Sequence, residues 1–253
     1  MAVSKFFTTE IKPAFTDVAQ IIQSDKTDLA FAAGDVLFDW QEMQIPKGAA
    51  KLKDINVMIR GTHTAGAMQF FFAKPNADGT APSSIGTPNA TANGTGYYDN
   101  VLGAVVIDDT AVKARLDFLD VYSMGAGASG DQMAAIVVES RVEYGQNVGY
   151  DKVYVACVGH QSFALNFSTN VVTAGAHSDD ATNDITVSTT DPRSFFQKGD
   201  VLHIHDVNAT IGTVSSIPDS TSIILTSNNV GAIASADEII NLSPIKCIFS
   251  WER

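Results

Sequence analysis

His203 and His205 stand on either side of Ile204, and theirs is the spacing in this chain that most directly suggests chemistry. On a strand, alternate side chains project to the same side, so the two imidazoles could present nitrogen ligands to one metal ion. A closed site needs more donors. Asp179, Asp180 and Asp184 are carboxylates that could approach, but no spacing ties them to the histidines. Polar residues on the exposed face of an antiparallel strand account for the pair more simply, so the expectation is that no metal is bound.

Carboxylate pairs offer a second chemistry. Asp108 with Asp109, and Asp117 with Asp120, could serve as the acid and base of a glycan hydrolase, a reaction that needs two carboxyl groups roughly 5 to 10 Å apart. The run Asp108, Asp109, Thr110 reads equally well as a turn between strands. Cys157 lies near His160, yet it sits inside the apolar run Val155 to Gly159, where a thiol is buried rather than activated. Cys247 occupies a similar run, and both cysteines are expected as buried thiols. No Gly-x-Ser-x-Gly elbow is present. Gly125, Gly127 and Gly130 match a dinucleotide spacing, but strand rather than helix is expected to follow them, so no cofactor site is expected. The sum is a chain without catalytic residues and not an enzyme. Among the aromatic residues, Tyr97 and Tyr98 stand in a polar loop, whereas Trp40, Trp251 and Tyr144 fall in alternating runs that belong to a core or its rim.

The elements that carry these residues are strands. Residues 33–41 begin at a Gly-Asp turn, and residues 52–61 alternate so that Ile55, Val57 and Ile59 share one face with Lys53, leaving Leu52, Asp54, Asn56 and Met58 on the other. Residues 68–75 are expected to pair with that strand as a hairpin across the Gly61 to Gly66 connection. Residues 15–23 read as a short helix or a strand. Residues 75–100 form a long polar loop, either an arm that orders on a neighbour or a disordered excursion. Residues 110–121 alternate Val112, Ala114, Leu116 and Phe118 with charged residues, which reads as one strand. Further strands are expected at 134–144, 150–159 and 162–173, and Gly- and Asn-rich turns at regular spacing argue an antiparallel β-sandwich or jelly roll.

After Thr173 the composition changes. Ala174 to Asp184 reads as a linker, and four apolar runs separated by turn residues then form a small β-barrel-like module up to Leu242. Residues 243–253 make one more strand, which needs partners. The expected organisation is an N-terminal arm over 1–30, an all-β sandwich over 31–173 plus 243–253, and an inserted module over 174–242.

The chain has 253 residues, enough for a substantial core without disulfides. Charged residues are only 17% of it, so much of the surface is neutral and polar, as in subunits whose faces are covered by neighbours. The net charge is -12, and Lys47, Lys51 and Lys53 are the nearest thing to a basic cluster, which argues against nucleic-acid binding. No apolar run reaches membrane-spanning length and the N-terminus has no secretory pattern, so synthesis in the cytoplasm and no membrane partner are expected.

The run Tyr150 to Gly159, the segment Phe167 to Val172, and the module runs beginning at Lys198, Ile211, Ser222 and Ala236 resemble virion structural proteins of tailed bacteriophages, marine phages in particular. The resemblance is diffuse from about residue 30 onward and clearest in the module. It implies a capsid decoration or cement protein, or a head-tail component, located in the virion and assembled in the host cytoplasm. Its partners would be the major capsid protein or other virion proteins, with a homotrimer as the assembly. Phe6, Phe7 and Phe15 of the arm are the expected docking residues, with Tyr97 and Tyr98 as a further contact. A receptor- or glycan-binding fibre or tail domain is the alternative, and a glycan hydrolase the least favoured.

Overall fold

A computed structural model describes residues 6–15, 29–45, 50–63, 66–97, 99–116, 119–125, 137–138, 142–143, 146–147, 152–166, 169–188, 190–205 and 209–253. The strands are β1 (Phe6–Ile11), β2 (Leu29–Phe31), β3 (Val36–Gln44), β4 (Ala50–Arg60), β5 (Thr62–His63), β6 (Met68–Ala73) and β7 (Val101–Ile107). Next come β8 (Val112–Leu116), β9 (Leu119–Gly125), β10 (Val137–Val138), β11 (Val142–Glu143), β12 (Gln146–Asn147), β13 (Lys152–Gly159) and β14 (Phe163–Asn166). The rest are β15 (Val172–Thr173), β16 (Asp184–Ser188), β17 (Val201–Ile204), β18 (Ala209–Ser216), β19 (Ser222–Leu225), β20 (Ile239–Asn241) and β21 (Ile245–Glu252). Among the described residues there is no α-helix, and the fold is all-β and antiparallel.

Two sheets make a sandwich. One runs β1-β21-β4-β9-β8, with β10 also on β4, and the other runs β3-β13-β6-β7. The alternation of β21 explains its central place: Ile245, Cys247, Phe249 and Trp251 are buried, while Lys246, Ile248, Ser250 and Glu252 lie on the outer face. Inward residues of both sheets share one core, and its rings meet across the gap. Phe249 stands edge to face with Phe70 at 6.2 Å and Phe72 at 5.7 Å, and Trp251 with Phe72 at 6.3 Å. The Trp251 indole N–H donates to Thr9 Oγ1 at 2.9 Å, and the Thr9 hydroxyl meets Met43 Sδ at 3.5 Å, which ties β1 to β3 and closes one side of the sandwich. Two smaller pairings complete this body, the sheet β2-β14-β5 and the pair β11-β12.

Three local expectations are corrected here. The strand over 52–61 does not pair with that over 68–75, because β4 lies in the first sheet and β6 in the second, and the connection between them crosses the sandwich through β5. Leu52 is fully buried with Ile55, Val57 and Ile59, because a bulge opposite Ser250 and Trp251 shifts the phase of β4 by one residue. Residues 110–121 form a 3-10 turn over Asp109–Ala111 followed by β8 and β9, which pair with each other, rather than one strand. The expectation for 15–23 falls largely outside the described residues.

The remaining strands form a second body in the order β15-β16-β19-β18-β17-β20, whose two ends approach through a bridge between Val172 and Glu238. It has its own core, including Ile185, Val187, Phe195, Phe196, Leu202, Ile204, Ile211, Val214, Ile223 and Leu225. Its pairing starts with β15, at residues that the sequence places in the sandwich. At the other end the division runs between neighbours: Ile239 belongs to the core of this module, whereas Ile240 and Leu242 belong to the core of the sandwich.

Candidate functional site

His203 of β17 and His205 just past its end are not on an exposed face. His203 is 4% exposed and its Nδ1 lies 3.0 Å from Thr210 Oγ1, and His205 is buried beside it. β17 is an interior strand paired with β18 on one edge and β20 on the other, and its consecutive residues Leu202, His203 and Ile204 are all buried, so both of its faces are covered as well. Among the described residues, no three His, Cys, Asp or Glu side chains gather as metal ligands would.

The carboxylates of the hydrolase reading are turn formers. Asp108 precedes the 3-10 turn and its Oδ1 accepts the Thr110 backbone N–H at 2.9 Å. That bond, with a smaller contribution from Asp109, holds the Asp108 carboxyl below the usual carboxylate range. A general acid needs the opposite shift. Asp120 is buried in β9, and Asp117 lies outside the described residues. Cys157 faces the sandwich core and His160 is exposed beyond the end of the same strand, so the two do not meet as nucleophile and base. Burial pushes the thiols of Cys157 and Cys247 well up, and both are free. Gly125 ends β9, while Gly127 and Gly130 lie outside the described residues.

The loop over 75–97 is neither an arm nor an excursion in this structure; it covers part of the outer face of the second sheet. Ile85 is 1% exposed and packs with Val36, Ala156 and Val158, with Trp40, Phe71 and Tyr97 at the margin. Two carboxylates of the β3 region hold it. Asp39 Oδ1 accepts the Ile85 N–H at 3.0 Å, and Asp35 Oδ1 accepts from Thr91 Oγ1 at 3.5 Å. The Trp40 indole donates to the Ser83 carbonyl at 2.9 Å, and its ring meets Tyr97 edge on at 5.6 Å. Beyond the loop the same face presents Glu42, which accepts from Tyr154 Oη at 3.0 Å and Lys152 Nζ at 3.2 Å. Tyr98 and Tyr144 lie outside the described residues, and Trp251 is core.

The three arm phenylalanines separate. Phe15 is buried in the sandwich core, so it cannot dock on a shell; the end of β1 carries it inward and its backbone N–H donates to Leu242 O at 2.8 Å. Phe7 is half-buried and stacks on Trp251 at 6.4 Å. Phe6, at 68% exposure, is the one of the three that faces solvent.

A cluster that the sequence does not announce lies where the two bodies meet. The Asp200 carboxylate, fully buried, opens β17 and receives groups from both sides. From the sandwich come Lys12 Nζ, just past β1, and Arg60 Nη1 at 3.0 Å, the last residue of β4. From the module come the Gln197 backbone N–H at 2.9 Å and Asn241 Nδ2 at 2.8 Å. Arg60 also donates to the Phe195 carbonyl at 2.9 Å and to Gln197 Oε1 at 2.7 Å. The desolvated carboxylate thus receives four donors, one at Oδ1 and three at Oδ2, two of them cationic, which is what makes such burial tolerable. The only sequence signal is the Gly199-Asp200 turn before a strand.

No family model matches the chain, and no curated protein matches it. Among solved structures, one of the infectious bursal disease virus Gx strain aligns over 99% of this chain and 41% of its own at 7% identity, with a TM-score of 0.17. The VP2 subviral particle of infectious bursal disease virus aligns over 98% of this chain and 41% of its own at 9% identity, also with a TM-score of 0.17. Sulfolobus turreted icosahedral virus contributes an alignment over 98% of this chain and 90% of its own at 9% identity, with a TM-score of 0.15. The chain spans about two fifths of the length of the infectious bursal disease virus chains. At TM-scores this low the likeness does not extend to a shared arrangement of strands.

Proposed function

We propose that the chain is a virion structural protein, specifically a capsid decoration protein that self-associates, as a trimer, and docks on the major capsid protein or another virion protein. The observation that carries this reading is the division of the molecule into two β bodies with separate cores, one inserted between β14 and β21 of the other. Such a division lets the sandwich lie among neighbours while the module projects. A low share of charged residues suits the covered faces, and weak contacts repeated around a symmetry axis give firm attachment. With Phe15 and Phe7 occupied internally, the docking contact on β1 narrows to its outer face, Phe6, Thr8 and Glu10. The test is to add the purified chain to capsids that lack it and to measure its mass in solution. A trimer that co-sediments with the capsids is expected; a monomer that stays in the supernatant overturns the reading.

A receptor- or glycan-binding fibre or tail domain is the second reading, favoured by the Trp40 and Tyr97 rings beside the Glu42, Tyr154 and Lys152 cluster. Glycan-array binding that disappears in Tyr97→Ala supports it, and an array without signal removes it.

A further inference from the structure

We infer that Asp200 is the lock that holds the module in one orientation on the sandwich, and that neutralising it turns a rigid molecule into a hinged one. Apolar packing crosses the junction where Val201, Ile240 and Leu242 meet the sandwich core, and two kinds of hydrogen-bonded contact cross it as well. The first gathers on the segment between β20 and β21: Phe15 N–H to Leu242 O at 2.8 Å, Leu242 N–H to Val201 O at 3.0 Å, and Arg60 N–H to Pro244 O at 3.0 Å. Leu242 and Pro244 lie on the covalent connection between β20 and β21, so these bonds survive a rotation about that connection and form a pivot. The second kind joins groups far apart in sequence. Lys12 and Arg60 reach Asp200, Gln197 and Phe195, which lie 135 to 188 residues further along the chain, and these contacts cannot be kept if the module turns.

The charges make the arrangement all-or-none. The Asp200 side chain is 0% exposed, while those of Lys12 and Arg60 are 26% and 25% exposed. The cations can return to water on opening, but the carboxylate gains hydration only when the interface parts. A buried ion with two cationic partners therefore favours either the fully seated or the fully open state. Its Oδ2 also accepts from Gln197 and Asn241, so the same atom fixes the turn before β17 and the strand β20 within the module. The lock does not depend on a role in a virion.

The test compares the full chain with Asp200→Asn and with Lys12→Met/Arg60→Met. X-ray scattering reads the shape, calorimetry the number of unfolding transitions, and limited proteolysis the accessibility of the junction. The unmodified chain is expected to scatter as one rigid body and to unfold in one transition. Asp200→Asn is expected to show a larger radius of gyration and two transitions, with cleavage at the junction faster by on the order of a hundredfold, the scale set by breaking a buried pair. The near-ultraviolet signal of Trp251 and Trp40 should persist, since both rings belong to the sandwich. The double variant leaves every module residue in place and should hinge in the same way. A rigid shape with a single transition in either variant overturns the lock. So does loss of the tryptophan signal in the double variant, which would make the cluster a requirement for folding rather than for orientation.

Discussion

Inside the sandwich, Phe70 and Phe72 of one sheet meet Phe249 and Trp251 of the other edge to face, and nearly every inward position is apolar. Inside the module the core is aliphatic apart from Phe195 and Phe196, and buried polar side chains do much of the fastening. Asn229 donates to Ser178 O and Gly231 O at 2.8 Å each and accepts from Thr182 N–H at 3.1 Å. Glu238 Oε1 accepts the N–H groups of Thr169 and Asn170 at 2.9 and 3.1 Å, and Thr173 Oγ1 bridges Ala234 and Asp237. The contrast follows from size. A smaller body encloses less apolar area, and its loops leave more backbone groups near the interior that must find partners. The sandwich is held by area, the module by directed bonds.

Breaking each body by its own means separates the two. Phe249→Ala removes a ring at the centre of the sandwich and should cost about 3 to 5 kcal/mol, read as a fall in the denaturant midpoint that carries the tryptophan signal with it. Asn229→Ala leaves backbone groups without partners in the module and should cost about 1 to 3 kcal/mol, with hydrogen exchange rising most around Ser178, Thr182 and Gly231 and less in β21. An effect of Asn229→Ala on β21 equal to that on its own loops would erase the distinction.

The smallest effect is electrostatic and tests both bodies alike. Asp108 in the sandwich and Asp219 in the module are both held below the usual carboxylate range, chiefly by the backbone N–H groups of Thr110 and Thr221. A depressed folded-state value gives stability that is present above the ordinary aspartate range near ~3.9 and is lost as pH falls through the lower folded value. Urea midpoints measured from about pH 5 downward should therefore decline, and Asp108→Asn or Asp219→Asn should each flatten that decline slightly. A steeper decline in either variant contradicts the assignment.

What could be read from the sequence was which residues alternate. The strands β4 and β21 follow from that pattern, as does the burial of Ile55, Val57 and Ile59, whereas β3 and β13 are marked by the turn residues before them and by their apolar runs. Alternation identifies a face but not the neighbour across it, so β4 and β6, close in sequence, were expected to pair although they lie in opposite sheets. The phase of Leu52 depends on a bulge set by β21, and the burial of His203 depends on β17 lying inside its sheet between β18 and β20 with both faces packed. Asp200 was illegible for the same reason, because its cations lie at Lys12 and Arg60 and only the folded chain brings them to it. The loop over 75–97 looked unanchored because its anchors, Asp39 and Trp40, belong to another strand.

The place of β21 has a consequence for the order in which the chain can be built. It lies between β1 and β4, yet it leaves the ribosome after every strand of the module. Until then the first sheet has a gap between β1 and β4, with the facing backbone edges of both strands unpaired, while the module already holds all the residues of its own core. The module is thus free to fold early, and the sandwich must wait for a strand whose pairing with β1 joins Phe6 to Glu252. A chain truncated just before Ile245 and released would carry a finished module on an unfinished sandwich.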